Sequence, residues 1–288
     1  MAKVMLITGA SSGIGEATAR RLAREPEAAL VLVARREERL RDLAAALGGT
    51  ATVGGAPRVS FLATDLLDED TPARVREHVL ERYGRLDLLV NNAGAAWRAS
   101  FAHGGYENVR RTMAINFDAQ LRLTEALLPL LRESAPSAIV NVASTAARVA
   151  RAGSGAYSAS KFALAGWSDA LYAEEHARGV HVGLVLPGFI STEGFPQAEL
   201  TAKPWTRWIV STPEKAAEAI YEAGIGRRAE RYVPRAYGLA AALRVLAPAL
   251  VRRALTGGAA AVMTTTTGAD MAERRNGSGT GAGTGSRS

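Results

Sequence analysis

The chain has 288 residues, is 48% hydrophobic, and carries a net charge of +7 from 35 Lys and Arg against 28 Asp and Glu. That length admits one large domain or two small ones, with ample apolar material for a core. The chain contains no cysteine and four scattered histidines, which excludes disulfides, iron–sulfur clusters and a cysteine nucleophile and leaves no metal-ligand spacing.

Val4-Met-Leu-Ile7 predicts a first strand over 3–8, so close to the amino terminus that no signal peptide is expected before it. No run of about 18 uncharged apolar residues occurs, so no membrane span is expected, and a reducing cytoplasm is the expected setting. Thr8-Gly-Ala-Ser-Ser-Gly-Ile-Gly15 follows the strand and opens an amphipathic helix over 14–24. Strand, glycine turn and helix together form a phosphate cradle. Glycines let the backbone approach a pyrophosphate, and the helix amino end offers unpaired N–H groups. A second strand over 29–34 ends in Val33-Ala-Arg-Arg36 before a helix over 36–47. An Arg at this place in a dinucleotide fold accommodates the 2′-phosphate of NADP, where Asp or Glu would bind the ribose of NAD. The strand end carries no carboxylate, so NADP(H) is expected over NAD(H). The remaining basic residues, interleaved with Glu as in Arg35-Arg-Glu-Glu-Arg39, read as solvated surface, and no nucleic-acid partner is expected.

Gly48 to Pro57 reads as a small-residue linker. A strand over 58–63, then Asp65 and Leu66, precede a helix over 70–83. A strand over 86–90 ends in Asn91-Asn-Ala-Gly94, and a long helix over 106–133 carries Asn116 in its interior, where Asn is disfavoured. A buried strand over 137–143 delivers Ser144 to its carboxyl end, the edge where open α/β sheets place ligands. The helix over 156–178 starts with Tyr157 and Lys161, four residues apart and therefore on one face. A sixth strand over 180–186 ends in Pro187-Gly-Phe-Ile-Ser-Thr192. Residues 189–212 read as a substrate lid, followed by a helix over 213–223 and a seventh strand over 230–233. Alternating strands and helices imply a doubly wound parallel α/β sheet in three layers. Beyond residue 235, an extension over 236–263 carries Leu239, Leu243, Leu246 and Leu250 at helical spacing, with a kink expected at Pro248. The stripe reads as packing on the domain or a partner subunit in preference to resting on a membrane surface through 236–255. The Thr/Gly/Ser/Arg-rich residues 264–288 have little to bury and are expected to be disordered.

Taken in order, Thr8-Gly-x-x-x-Gly-x-Gly15, Asp65, Asn91-Asn-Ala-Gly94, Asn116, Ser144, Tyr157-x-x-x-Lys161 and Pro187-Gly188 with Thr192 resemble the short-chain dehydrogenase/reductase family over residues 3 to 235. The resemblance implies a single Rossmann-type catalytic domain over 1–235 with strand order 3-2-1-4-5-6-7. It implies catalytic roles for Asn116, Ser144, Tyr157 and Lys161. Ser144 and Tyr157 would bind the substrate oxygen, and Tyr157 would exchange its proton. Lys161 would lower the tyrosine pKa and hold the nicotinamide ribose, while Asn116 would hold a water of the proton relay. The implied cofactor-binding set is Gly9, Ser11, Ser12, Gly13, Ile14, Gly15, Arg35, Arg36, Asp65, Leu66, Asn91, Ala93, Gly94, Tyr157, Lys161, Pro187, Gly188, Ile190 and Thr192.

The implied activity is NADP(H)-dependent interconversion of a carbonyl and a secondary alcohol by hydride transfer. A nucleotide-binding regulator without turnover, and a family epimerase or dehydratase, remain as alternatives. Phe101, Tyr106, Phe189, Phe195, Trp205 and Trp208 are candidates for an apolar substrate pocket or for core. A homodimer or homotetramer paired through the helices 106–133 and 156–178 is implied by the same resemblance.

Overall fold

The computed structural model describes residues 2–192 and 210–256. The apolar runs form β1 (Lys3–Thr8), β2 (Ala28–Ala34), β3 (Val59–Ala63), β4 (Leu88–Asn91), β5 (Ser137–Val142), β6 (Val180–Pro187) and β7 (Glu230–Val233). All pair in parallel in one seven-stranded sheet. Counted within that sheet, the order is 3-2-1-4-5-6-7, as expected. A parallel sheet is covered on both faces, so its strands are apolar throughout rather than alternating. β2 is buried at every position.

The helices are α1 (Gly13–Leu22), α2 (Glu37–Ala46), α3 (Thr71–Tyr83), α4 (Phe101–Met113), α5 (Ala119–Glu133), α6 (Gly155–Glu175) and α7 (Pro213–Gly224). Successive strand residues point to opposite faces, and β1 shows the consequence. Met5 and Ile7 join a core with Leu22 of α1, Leu40 of α2 and Ile220 of α7. Val4 and Leu6 join a second core with Val75 of α3, Leu127 of α5 and Leu171 of α6. Each such side chain contributes roughly 1.5–3 kcal/mol on burial, and together they make the three layers. Between α5 and α6, Arg132 donates from Nε to Glu175 Oε2 at 2.8 Å. That guanidinium, ahead of the opposing effect of burial, holds the Glu175 carboxyl below its ordinary range. Glu175 is 2% exposed, so removing Arg132 would leave a buried charge with only the longer Arg178 contact at 3.6 Å.

Four departures from expectation have local causes. The helix expected over 106–133 starts earlier, at Phe101, kinks at Gly105 (φ 54°, ψ −161°), and is interrupted by a π turn over Ala114–Asp118. The linker 48–57 contains a small antiparallel pair, 52–53 with 56–57, turning through Gly54 and Gly55 at positive φ. Residues 189–190 and 210–211 pair in parallel, bringing together the two ends of the segment read as a lid. At the carboxyl end, Pro248 starts a new helix instead of kinking one, giving α8 (Tyr237–Leu246) and α9 (Pro248–Thr256). Proline is tolerated in a first turn, where its missing N–H has no partner to lose. The leucine stripe does not pack on the domain: Leu239 is 77% and Leu246 83% exposed, while Ala241 and Val251 are buried. No helix among the described residues is long and apolar enough to cross a membrane. Residues 193–209, with Phe195, Trp205 and Trp208, and residues 257–288 lie outside the described residues, and with them most of the expected lid and the expected disordered tail.

Candidate active site

The site lies at the carboxyl ends of the sheet strands, and one side of it is built by the absence of side chains. Gly9 and Gly13 adopt positive φ after β1. A Cβ on Gly15 would collide with the Gly9 carbonyl and with Asn92 Nδ2. The turn therefore requires glycine at all three positions. Ser12 stands at the N-cap of α1, and Ile14 packs its side chain against the core beneath. Thr8 Oγ1 accepts from the backbone N–H groups of Asn92 and Ala93, each at 3.0 Å, and Asn92 Nδ2 donates to the Thr8 carbonyl at 2.9 Å. These bonds lock the glycine turn to the end of β4. The Thr192 side chain lies 3.2 Å from where a Cβ on Gly13 would be, so the segment after β6 closes over the same trough. This backbone-lined trough at a helix amino end fits a dinucleotide pyrophosphate.

The two arginines after β2 divide their work. Arg36 folds back over the glycine turn, donating to Ser12 Oγ at 2.6 Å and to Ser11 Oγ at 3.2 Å. Arg35 is exposed and lies 3.7 Å from Asp65 Oδ2. Asp65 Oδ1 accepts from the Leu67 N–H at 3.1 Å. Asp65 thus closes a local turn and does not cap α3, whose N-cap is Asp70. Leu66 and Ile190 are buried in the cores and Ala93 packs against one, so these three can meet a ligand through backbone. The Asn91 side chain is likewise turned inward, donating to Thr124 Oγ1 and Asn141 Oδ1, both at 2.9 Å.

Asn116 sits on the π turn, and its side chain does not bond back to its own helix. Its Oδ1 accepts from Ala95 N at 2.8 Å, while Nδ2 donates to Ala95 O at 2.9 Å and to Ser160 Oγ at 3.1 Å. It clamps the loop after β4 to α6. A Cβ on Gly94 would lie 2.8 Å from Asn116 Oδ1 and 3.6 Å from Lys161 Nζ, so glycine there keeps Asn116 and Lys161 together.

Ser144, Tyr157 and Lys161 converge. The Ser144 hydroxyl donates to Pro187 O at 3.2 Å and accepts from Ala146 N at 3.1 Å, which ties β5 to the end of β6. Lys161 is buried, donates from Nζ to Val142 O at 2.8 Å, and lies 5.9 Å from the centre of the Tyr157 ring. Burial pushes its ammonium down to about 8. Burial also pushes the Tyr157 phenol up, while the Ser144 hydroxyl, Arg151 and Arg98 pull it back down. The cations acting on the phenol here are Arg151 and Arg98, while Lys161 Nζ donates to a backbone carbonyl.

Several residues of the site carry no motif. Ser160 links Asn116 to the Tyr157 carbonyl, donating to it at 2.8 Å. The Arg151 guanidinium lies over the Phe189 ring at 4.6 Å. Tyr237, from the carboxyl extension, lies against Gly188: a Cβ there would be 2.8 Å from the ring Cζ. Thr8 and Asn92 stood inside quoted motifs, and their roles could have been read from adjacency. Ser160, Arg98, Arg151 and Tyr237 could not. Phe101 and Tyr106, candidates for a pocket, are 75% and 73% exposed.

A family model described as short chain dehydrogenase matches residues 3–202. The ketoacyl reductase HetN of Nostoc is 33% identical over 221 residues, covering 77% of this chain and 75% of that protein. The mouse dehydrogenase/reductase SDR family member 7B is 34% identical over 190 residues, and the chain spans only 58% of its length. A crystal structure of a short-chain dehydrogenase from Streptomyces avermitilis superposes with a TM-score of 0.71 at 31% identity, covering 88% of this chain and 97% of that one.

Proposed function

This chain belongs to the short-chain dehydrogenase/reductase family, and on that premise we propose that it is an NADP(H)-dependent oxidoreductase. It interconverts a carbonyl and a secondary alcohol, with Tyr157 as acid and base. The observation that carries this reading is the convergence of Ser144, Tyr157, Lys161 and Asn116 beside the glycine trough. A binding protein without turnover would have no use for a buried lysine held beside a phenol.

When bound, the nicotinamide cofactor supplies or accepts the hydride. The protein's own residues handle the proton. Tyr157 donates it to the carbonyl oxygen during reduction and takes it from the alcohol during oxidation. The Ser144 hydroxyl orients that oxygen by exchanging its Pro187 partner for the substrate. Lys161, easily deprotonated at about 8, restores the tyrosine proton, and Asn116 holds the relay between α6 and the loop after β4. Positioned acid–base groups of this kind contribute ~10²- to 10⁴-fold in rate.

NADP(H) preference is assigned to Arg36 ahead of Arg35, because Arg36 is the one anchored on Ser11 and Ser12 beside the trough. Gly9 to Gly15, Asp65, Leu66, Asn91, Ala93, Gly94 and the segment Pro187–Thr192 complete the cofactor site in this proposal. Residues 189–212 act as its lid. A homodimer or homotetramer is part of the same proposal. Phe162, on α6, is 44% exposed, which supports that helix as a pairing surface. The test is to measure Kd for NADPH and NADH in the unaltered protein and in Arg36→Leu, alongside NADPH oxidation over a ketone panel. NADPH should weaken about ten- to a hundredfold, the worth of a charge-assisted bond, with NADH little changed. An unchanged ratio contradicts the cofactor assignment.

A further inference from the structure

We infer that the substrate carries an anionic oxygen group, carboxylate or phosphate, close to its reacting carbonyl, and that Arg151 receives it. The inference rests on the carbonyl–alcohol reading above and adds the substrate class.

Arg151 lies in the connection between the Ser144 turn and α6, six residues before Tyr157. Its guanidinium is stacked on Phe189 at 4.6 Å. Phe189 follows directly on the Pro187 carbonyl that takes the Ser144 hydroxyl and on Gly188 beneath Tyr237. One short strip of backbone therefore carries the catalytic serine on one residue and the arginine two residues further on. Arg148, on the same connection, shows what an ordinary structural arginine does here. It reaches Glu230 at 3.0 Å. Arg151 has no carboxylate partner among the described residues; its contacts are the aromatic ring and the fields of its neighbours.

Those neighbours sharpen the case. Burial and the like charge of Arg98 both weaken the proton hold of Arg151, while Tyr237 and Tyr157 favour it. Arg151 and Arg98 both act on the same phenol, so the potential there is positive and favours an anion. Burial pushes the Tyr237 phenol up to about 12, so no tyrosinate neutralises Arg151 from that side at physiological pH. A guanidinium stacked on a ring is pre-organised, and its planar fork matches carboxylate and phosphate oxygens. The site thus takes an anionic end.

The experiment uses the full chain with NADPH and two matched pairs of ketones: 4-acetylbenzoate with its methyl ester, and dihydroxyacetone phosphate with dihydroxyacetone. Each is assayed in the unaltered protein, Arg151→Gln and Arg151→Lys, with thermal midpoints to confirm folding. The readout is the ratio of kcat/KM within a pair, which cancels any effect of Arg151 on the Tyr157 proton. We expect the anion to be favoured about ten- to a hundredfold in at least one pair. That preference should vanish in Arg151→Gln and be partly kept in Arg151→Lys; which pair shows it separates carboxylate from phosphate. Calorimetric binding of 4-acetylbenzoate and of inorganic phosphate runs in parallel. Binding lost in Arg151→Gln, with no ketone turned over, upholds the anion site and counts against the reductase reading. Equal kcat/KM within both pairs, a preference that survives Arg151→Gln, or no binding of either anion overturns the inference.

Discussion

The two sides of the cleft are built by opposite means. Beside β1 and β4, space is made by removing side chains, and function rests on backbone: Gly9, Gly13, Gly15 and Gly94 line the trough, and Thr8 stitches it with hydrogen bonds. Beside β5 and β6, function rests on side chains held against their preference: a buried ammonium with no carboxylate partner among the described residues, a half-buried phenol, and two neighbouring guanidiniums. The first side needs shape and bears no electrostatic cost. The second spends stability on chemistry, as catalytic groups generally do. A change on the first side should therefore damage fold and binding together, whereas a change on the second should trade activity for stability.

The largest effect is expected at Gly15. Gly15→Val places branched carbons into the Gly9 carbonyl and Asn92, and neither the backbone nor the Thr8-bonded loop can yield cheaply. Overpacking of this kind costs about 1–3 kcal/mol or more. NADPH binding should fall below detection and the thermal midpoint should drop by several degrees. Normal binding at an unchanged midpoint would show that the turn has slack.

Lys161→Met tests the opposite trade. Turnover should fall by ~10² or more, while stability at pH 7 should rise by about 1–2 kcal/mol, since relief of the buried charge exceeds the loss of the Val142 bond. The pH dependence follows from the sign of the shift. Unfolded, the lysine holds its proton up to the ordinary 10.5; folded, only up to about 8. Between those values the unfolded chain binds more protons, so stability climbs with pH through that window. The penalty, on the order of 3 kcal/mol, is fully present below pH 8 and gone above 10.5. Urea unfolding at pH 7 and pH 9.5 should show a rise for the unaltered protein and a smaller one for Lys161→Met. A fall across that interval in the unaltered protein would contradict the burial argument.

The same division explains what was legible in the sequence. Strand positions could be read because both-sided burial writes a continuous apolar run, as in Ala28–Ala34, whereas their order came only with the family resemblance. The glycine trough could be read because a missing side chain is itself a local signal. The π turn at Ala114–Asp118 could not be read, because it arises when Asn116 turns to Ala95 and Ser160, both distant in sequence. Arg35 and Arg36 were both read as cofactor residues, but their neighbours could not be read: Arg35 faces Asp65, and Arg36 faces the serines. Arg151 and Tyr237 left no trace because their meeting at Phe189 and Gly188 depends on tertiary placement of a segment after the last strand. The leucine stripe of α8 and α9 was legible only as an apolar face: it is exposed on this chain, and helical spacing does not report what covers such a face.

The central claim, that Tyr157 moves the proton in a site whose cofactor cradle is independent of it, is tested most directly by Tyr157→Phe. The change removes the phenol oxygen and keeps the ring. Single-turnover NADPH oxidation and NADPH affinity should be measured on the same preparation. The account predicts a loss of ~10²- to 10⁴-fold in rate with Kd for NADPH within about threefold of the unaltered protein. Rates within a few-fold of each other, at equal cofactor affinity, would contradict it.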